Sequence, residues 1–122
     1  MATVDITEET FEDTINNNDI VIVDFWAEWC GPCKSFSPIY EEASEKHEDI
    51  VFGKIDTEEQ QALGAHFQVR SIPTLMIFRE QVVLFSQAGM LSGPQLDDVI
   101  AKVKDIDMKK VHEEVEKQSQ DS

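Results

Sequence analysis

The stretch Ile20-Val21-Ile22-Val23-Asp24-Phe25-Trp26, continuing through Ala27-Glu28-Trp29 into Cys30-Gly31-Pro32-Cys33-Lys34, decides how this chain reads. Its first part is a continuous β-branched and aromatic run broken by a single acid, the mark of a strand covered on both faces. Beyond the cysteines, Phe36, Ile39, Tyr40 and Ala43 recur at helical spacing to about His47. Pro38 falls inside that run, and its missing donor predicts a kink. A buried central strand thus passes through a Cys-x-x-Cys junction into a helix.

Working outward, Thr7 and Thr10 suggest a capping box, and Phe11, Ile15 and the Asn16-Asn17-Asn18 ending suggest a first helix. Val51 to Asp56 reads as the next strand, and Thr57 to Phe67 as a third helix with Ala62, Leu63 and Phe67 at helical spacing. Thr74 to Phe78 and Val82 to Ser86 read as a hairpin joined by Arg79-Glu80-Gln81, a turn without Gly or Asn. Ser92 with Gln95 caps an amphipathic helix carrying Leu96, Val99, Ile100 and Val103. The order is β, α, β, α, β, α, β, β, α, an α/β class in which a parallel sheet covered by helices gains antiparallel strands from the final hairpin.

The chain has 122 residues, one domain's worth, and a chain of this size buries roughly two thirds of its unfolded surface. Apolar residues at 41% and charged residues at 29% describe an ordinary globular domain. Its 25 acids against 10 Lys and Arg give a net charge of −15, which excludes nucleic acid and an anionic membrane as main partners. Residues 1–104 form the expected domain, with 19 acids against 7 bases. Residues 105–122 form an acidic extension with 6 against 3, where Ile106, Met108, Val111 and Val115 space as an extra helix and Gln118 to Ser122 reads as disordered. The N-terminus lacks the basic start and apolar segment of a signal peptide, and no stretch is long enough to span a bilayer, so a reducing, cytoplasmic compartment is expected.

Cys30 and Cys33 are the only cysteines. A bond between them closes too small a loop to stabilise the fold much, so the pair is a poor staple. Zinc needs two further ligands, yet His47, His66 and His112 are scattered singly, so no metal is expected. At a strand-to-helix junction, Cys30 meets unpaired backbone donors and the positive end of the helix dipole, which favour a thiolate, while Cys33, one turn further in, should be more shielded. That asymmetry suits disulfide exchange in two steps, with Cys30 attacking and Cys33 displacing the mixed disulfide.

Asp24 stands inside the buried run, where desolvation favours its protonated form. It reads either as a proton acceptor and donor for Cys33 or as a side chain that reaches a strand end or caps a loop. Lys54, on the neighbouring strand, is its charge partner or snorkels to solvent. Pro73, in Ser71-Ile72-Pro73-Thr74, begins a strand, and the residue type alone leaves cis and trans open.

With these residues in view, the chain resembles the thioredoxins over about residues 4–104. Trp29-Cys30-Gly31-Pro32-Cys33-Lys34 matches that family's active-site motif, Val23-Asp24-Phe25-Trp26-Ala27 the strand before it, and Ile72-Pro73-Thr74 the segment around its cis-proline, while Lys54 and Gly89 fall at its spacings. The resemblance implies a thioredoxin fold, with a central mixed five-stranded sheet flanked by helices, plus the C-terminal helical extension. It implies Cys30 as nucleophile, Cys33 as resolving thiol, Asp24 as buried acid and base, and Lys54 as its modulating neighbour. Trp29, Gly31, Pro32, Ile72, Pro73, Gly89 and Met90 would border a shallow apolar groove for the substrate chain. The implied activity is that of a monomeric protein-disulfide reductase with no bound cofactor, whose Cys30–Cys33 disulfide is reduced by thioredoxin reductase at the expense of NADPH and which acts on disulfide-containing proteins. The alternative is a thioredoxin-like binding module or chaperone acting through the acidic face and extension. Arg79-Glu80-Gln81 and Phe36-Ser37 depart from the family's usual pattern.

Overall fold

The computed structural model describes residues 2–120. Ten elements follow in order: β1 (Thr3–Asp5), α1 (Phe11–Asn16), β2 (Ile20–Trp26), α2 (Gly31–Lys46), β3 (Val51–Asp56), α3 (Gln61–His66), β4 (Thr74–Arg79), β5 (Val82–Ala88), α4 (Gly93–Asp105) and α5 (Met108–Gln120). The strands form one five-stranded sheet in the order β1-β3-β2-β4-β5. β1, β3 and β2 run parallel, and β4 and β5 join antiparallel. The mixed sheet expected from the sequence is borne out.

Period-two alternation along β2 assigns its side chains to two cores. Ile20 and Ile22 pack with Phe36, Tyr40, Leu96 and Ile100 beneath α2 and α4. Val21, Val23 and Phe25 pack with Ile15, Ile55 and Leu63 beneath α1 and α3. Asp24 is therefore carried to the α2 face, in register with Lys54 of β3 and Leu75 of β4. The Tyr40 hydroxyl, wholly buried, lies 2.7 Å from the Gly53 carbonyl and 3.1 Å from that of Ile22, tying α2 to both central strands. Gly53 faces the other way. A Cβ there would run into the Ile6 side chain, so glycine is what lets the chain after β1 cross so close to β3.

Local differences from the sequence reading have physical causes. Thr7 and Thr10 exchange the reciprocal bonds of a capping box, but in a turn ahead of the helix, so α1 spans only six residues. Thr57 to Glu59 form a turn, not the start of α3, because Thr57 is held by the Trp26 carbonyl through both its amide and hydroxyl and the Glu58 amide is taken by Asp56. α2 continues past Pro38 as one helix from Gly31 to Lys46. The hairpin turn does without Gly because Glu80 and Gln81 both take positive φ, 50° and 72°, the conformation of a type I′ turn. The α4 capping box forms as read, with Ser92 and Gln95 each bonding the other's amide.

The extension is anchored at its root. Arg79 Nη1 donates to the carbonyls of Val103, Lys104 and Ile106, Met108 is buried, and His112 lies 2.8 Å from Glu80. Glu113 to Gln118 are exposed. Gln118 to Gln120 continue α5 where disorder was expected, and Asp121 and Ser122 lie outside the described residues. Among the described residues no helix is long and apolar enough to cross a membrane.

Candidate active site

Cys30 is the N-cap of α2, in extended backbone, and Pro32 follows within the first turn, where a missing donor costs nothing. Cys30 and Cys33 are joined as a disulfide with their Cα atoms 5.3 Å apart. The Cys33 amide donates to Cys30 Sγ at 3.2 Å, so a backbone donor that the helix leaves free is aimed at that sulfur. Cys30 Sγ also lies 3.7 Å from the Ile72 carbonyl. Both cysteines are buried, at 3% and 4% exposure, among Ala27, Trp26 and Ile72. The expected difference in shielding is thus absent at the level of the whole residue in this oxidised state. The segment before Pro73 closes over Cys30 from outside the motif, and what distinguishes the two sulfurs is their hydrogen bonding.

The Ile72–Pro73 peptide bond is cis. The Pro73 carbonyl accepts from the Gly89 amide at 2.8 Å, and Gly89 holds φ at 96°, a region that favours glycine. Gly31 and Pro32 are exposed, as are Met90 at 40% and Trp29 at 70%. The Trp29 indole is steadied by donating to Glu58 Oε1 at 2.7 Å. Beside it opens a groove of about 610 Å³, lined by Trp29, Thr57, Gln61, Val69 and Ile72 among others. Of the residues expected at the groove, Trp29 and Ile72 line it. Gly31, Pro32, Pro73, Gly89 and Met90 do not line this cavity, and Pro73 and Gly89 join each other beside the disulfide. Thr57, Gln61 and Val69 were not singled out from sequence, because they come from a turn, a short helix and the loop that follows it, none with a motif of its own.

Asp24 is 1% exposed and its Oδ1 has no hydrogen-bond partner. Burial pushes its carboxyl up to about 7, against a smaller opposing pull from the Lys54 charge. A carboxyl poised there is half ionised near neutrality, the condition for taking and returning a proton. Lys54 does not ion-pair with it. Its ammonium lies 3.5 Å from Ser37 Oγ and 5.0 Å from the centre of the Trp26 ring. Among the described residues no group of three His, Cys, Asp or Glu side chains is placed to hold a metal.

Comparison with known proteins adds to this geometry. A model of the family described as Thioredoxin matches residues 2–105. A chain of Streptomyces coelicolor assigned the name thioredoxin 2 is 51% identical over 117 residues, covering 96% of this chain and 87% of that one. The thioredoxin of Buchnera aphidicola is 35% identical over 80% of this chain and 92% of its own. Among solved structures, a mutant thioredoxin from Halobacterium salinarum superposes with a TM-score of 0.78 at 32% identity, covering 86% of this chain and 93% of that one. A strand-to-helix dithiol capped by a cis-proline segment, on this sheet order and with these relatives, leads to one assignment: the chain belongs to the thioredoxin family of thiol-disulfide oxidoreductases, with Cys30 and Cys33 as its redox pair.

Proposed function

We propose that the chain is a protein-disulfide reductase in which Cys30 attacks and Cys33 resolves. The Cys30 thiolate attacks one sulfur of a substrate disulfide, that S–S bond breaks, and the leaving sulfur departs as a thiolate that takes a proton. Cys33 then gives its proton to the Asp24 carboxylate and attacks Cys30 Sγ in the mixed disulfide, releasing the second substrate sulfur. Two electrons pass to the substrate, and the Cys30–Cys33 disulfide remains. The observation that carries this reading is the Cys33 amide bonded to Cys30 Sγ at the N-cap of α2, a donor that stabilises negative charge on that sulfur and on no other. Lys54 modulates Asp24. Trp29, Gly31, Pro32, Ile72, Pro73, Gly89 and Met90 border the bound substrate segment, with the backbone at Ile72 pairing to it.

The disulfide is returned to the dithiol by a thioredoxin reductase using NADPH, and the chain carries those electrons to disulfide-containing proteins as a monomer in a reducing, cytoplasmic compartment. The reading of that compartment is supported by the cysteine count, since both cysteines are used in the site and none is left for a structural cross-link. Residues 1–104 act as the catalytic domain and 105–122 as an acidic extension outside the chemistry. NADPH- and reductase-coupled reduction of insulin tests the proposal: sustained turnover is expected, and its absence would leave the binding-module reading in place.

A further inference from the structure

Lys54 presents a charge that the fold leaves unpaired. In the sheet it lies in register between Asp5 of β1 and Asp24 of β2. It shares a pocket of about 450 Å³ with Asp5, Glu28, Asp56 and Glu59. It takes part in none of the ion pairs found among the described residues. In a chain of net charge −15, an ammonium surrounded by carboxylates and bonded to none of them is being held by something else.

The holders are neutral. Ser37 stands one turn after Cys33 on α2, half-buried, with its Oγ 3.5 Å from Lys54 Nζ. Trp26, two residues beyond Asp24 and so on the same face of β2, places its ring 5.0 Å from the same ammonium. The competition is directional. Asp5, Glu28 and Glu59 are exposed and Asp56 half-buried, so these four carboxylates at the pocket rim draw the ammonium outward. Asp24, protonated through the acid range, draws it inward only as it ionises toward neutrality. Of the titratable groups that α2 brings to this side, Cys33 is in the disulfide, burial together with the Asp24 and Glu41 charges holds the Tyr40 phenol well above its ordinary range, and Glu41 is engaged instead by the Thr3 hydroxyl, which donates to its Oε1 at 2.5 Å.

We propose that Ser37 is a positioning residue that keeps the Lys54 ammonium inboard, against the pull of the four rim carboxylates, and so sets how strongly that charge acts on Asp24. This deepens the proposed reaction and rests on Asp24 being its proton relay. No motif marks Ser37, and its role is visible only once α2 is laid across β2 and β3.

The test follows the Asp24 side-chain carboxyl by carbon NMR across pH in the full-length oxidised protein. Ser37→Ala releases the ammonium toward the rim and should raise the Asp24 midpoint by about half a pH unit to one unit, with Ser37→Thr returning it to the wild-type value. In a Lys54→Met background the midpoint is already raised, and adding Ser37→Ala should move it no further. A midpoint that stays put or falls in Ser37→Ala, or that shifts equally without Lys54, overturns the proposal. The pH profile of insulin reduction is read on the same variants. An NMR midpoint that moves while the profile does not leaves Ser37 in its role and removes Asp24 from the proton relay.

Discussion

Cys33 donates its backbone amide to Cys30 Sγ across 3.2 Å, so the residue proposed to resolve the mixed disulfide also supports the sulfur that forms it. The two roles separate on mutation. Cys33→Ser keeps the amide and removes only the second thiol, so it should accumulate mixed disulfides with substrate proteins, while Cys30→Ser should accumulate none. Non-reducing gels of substrate-capture reactions read the difference, and equal trapping by both variants would reverse or erase the assignment.

Asp24 imposes a pH dependence on stability whose sign is fixed by the direction of its shift. Its carboxyl is raised from 3.8 to about 7 by burial, so between those values the native state holds a proton that the unfolded state has released. Stability therefore falls as pH rises through this window, by up to about 1.4 kcal/mol per pH unit, and levels off above it. Asp24→Asn should remove the slope, making the variant more stable than wild type by a few kcal/mol at pH 8 and little different at pH 4, while slowing insulin reduction. Urea unfolding at the two pH values measures it. A variant less stable than wild type at pH 8 would show that Asp24 is kept for structure.

Gly53 is required by a neighbour on a different strand. Because a Cβ there would meet the Ile6 side chain, Gly53→Ala should cost about 1–3 kcal/mol as Ile6 shifts. Pairing it with Ile6→Ala, which clears the space, should show a cost smaller than the sum of the two single changes. Strict additivity in denaturation experiments would mean that the two side chains do not compete.

Met108 tests the division between domain and extension. It is 6% exposed and lies beyond residue 104, so Met108→Ala should lower stability by roughly 2 kcal/mol through lost burial. Turnover in the reductase-coupled assay should be unchanged well below the melting temperature. A fall in kcat with the fold intact would bring the extension into the reaction.

Much of the architecture was legible because β2 announces itself. A run of apolar and aromatic residues broken by one acid describes a strand with a core on each face, and the same alternation places Asp24 under α2. The chemistry was legible where it is local, in the Cys30-Gly31-Pro32-Cys33 junction. It was not legible where distant segments meet. Ile72 reaches Cys30 from 42 residues away and closes over it, which is why a shielding difference argued from helix position alone did not appear. β1, three residues long with two of them exposed, carries no pattern that could place it. Ser37 and Thr57 look like any other small polar residue until their partners, Lys54 and the Trp26 carbonyl, are known.

The anchoring of α5 at Arg79 and Glu80 has a practical meaning. Those residues stand at one end of β4, and Pro73, beside the disulfide, precedes the other, about 20 Å away for a strand of this length. From His112 the helix continues to Gln120, about 12 Å of backbone along which Glu113 to Gln118 are exposed. The root of α5 is thus a handle set at the opposite end of β4 from the redox pair. A fluorophore or a surface tether mounted on that root is separated by the length of β4 from Pro73 and the disulfide beside it, and leaves the working end open to incoming substrates.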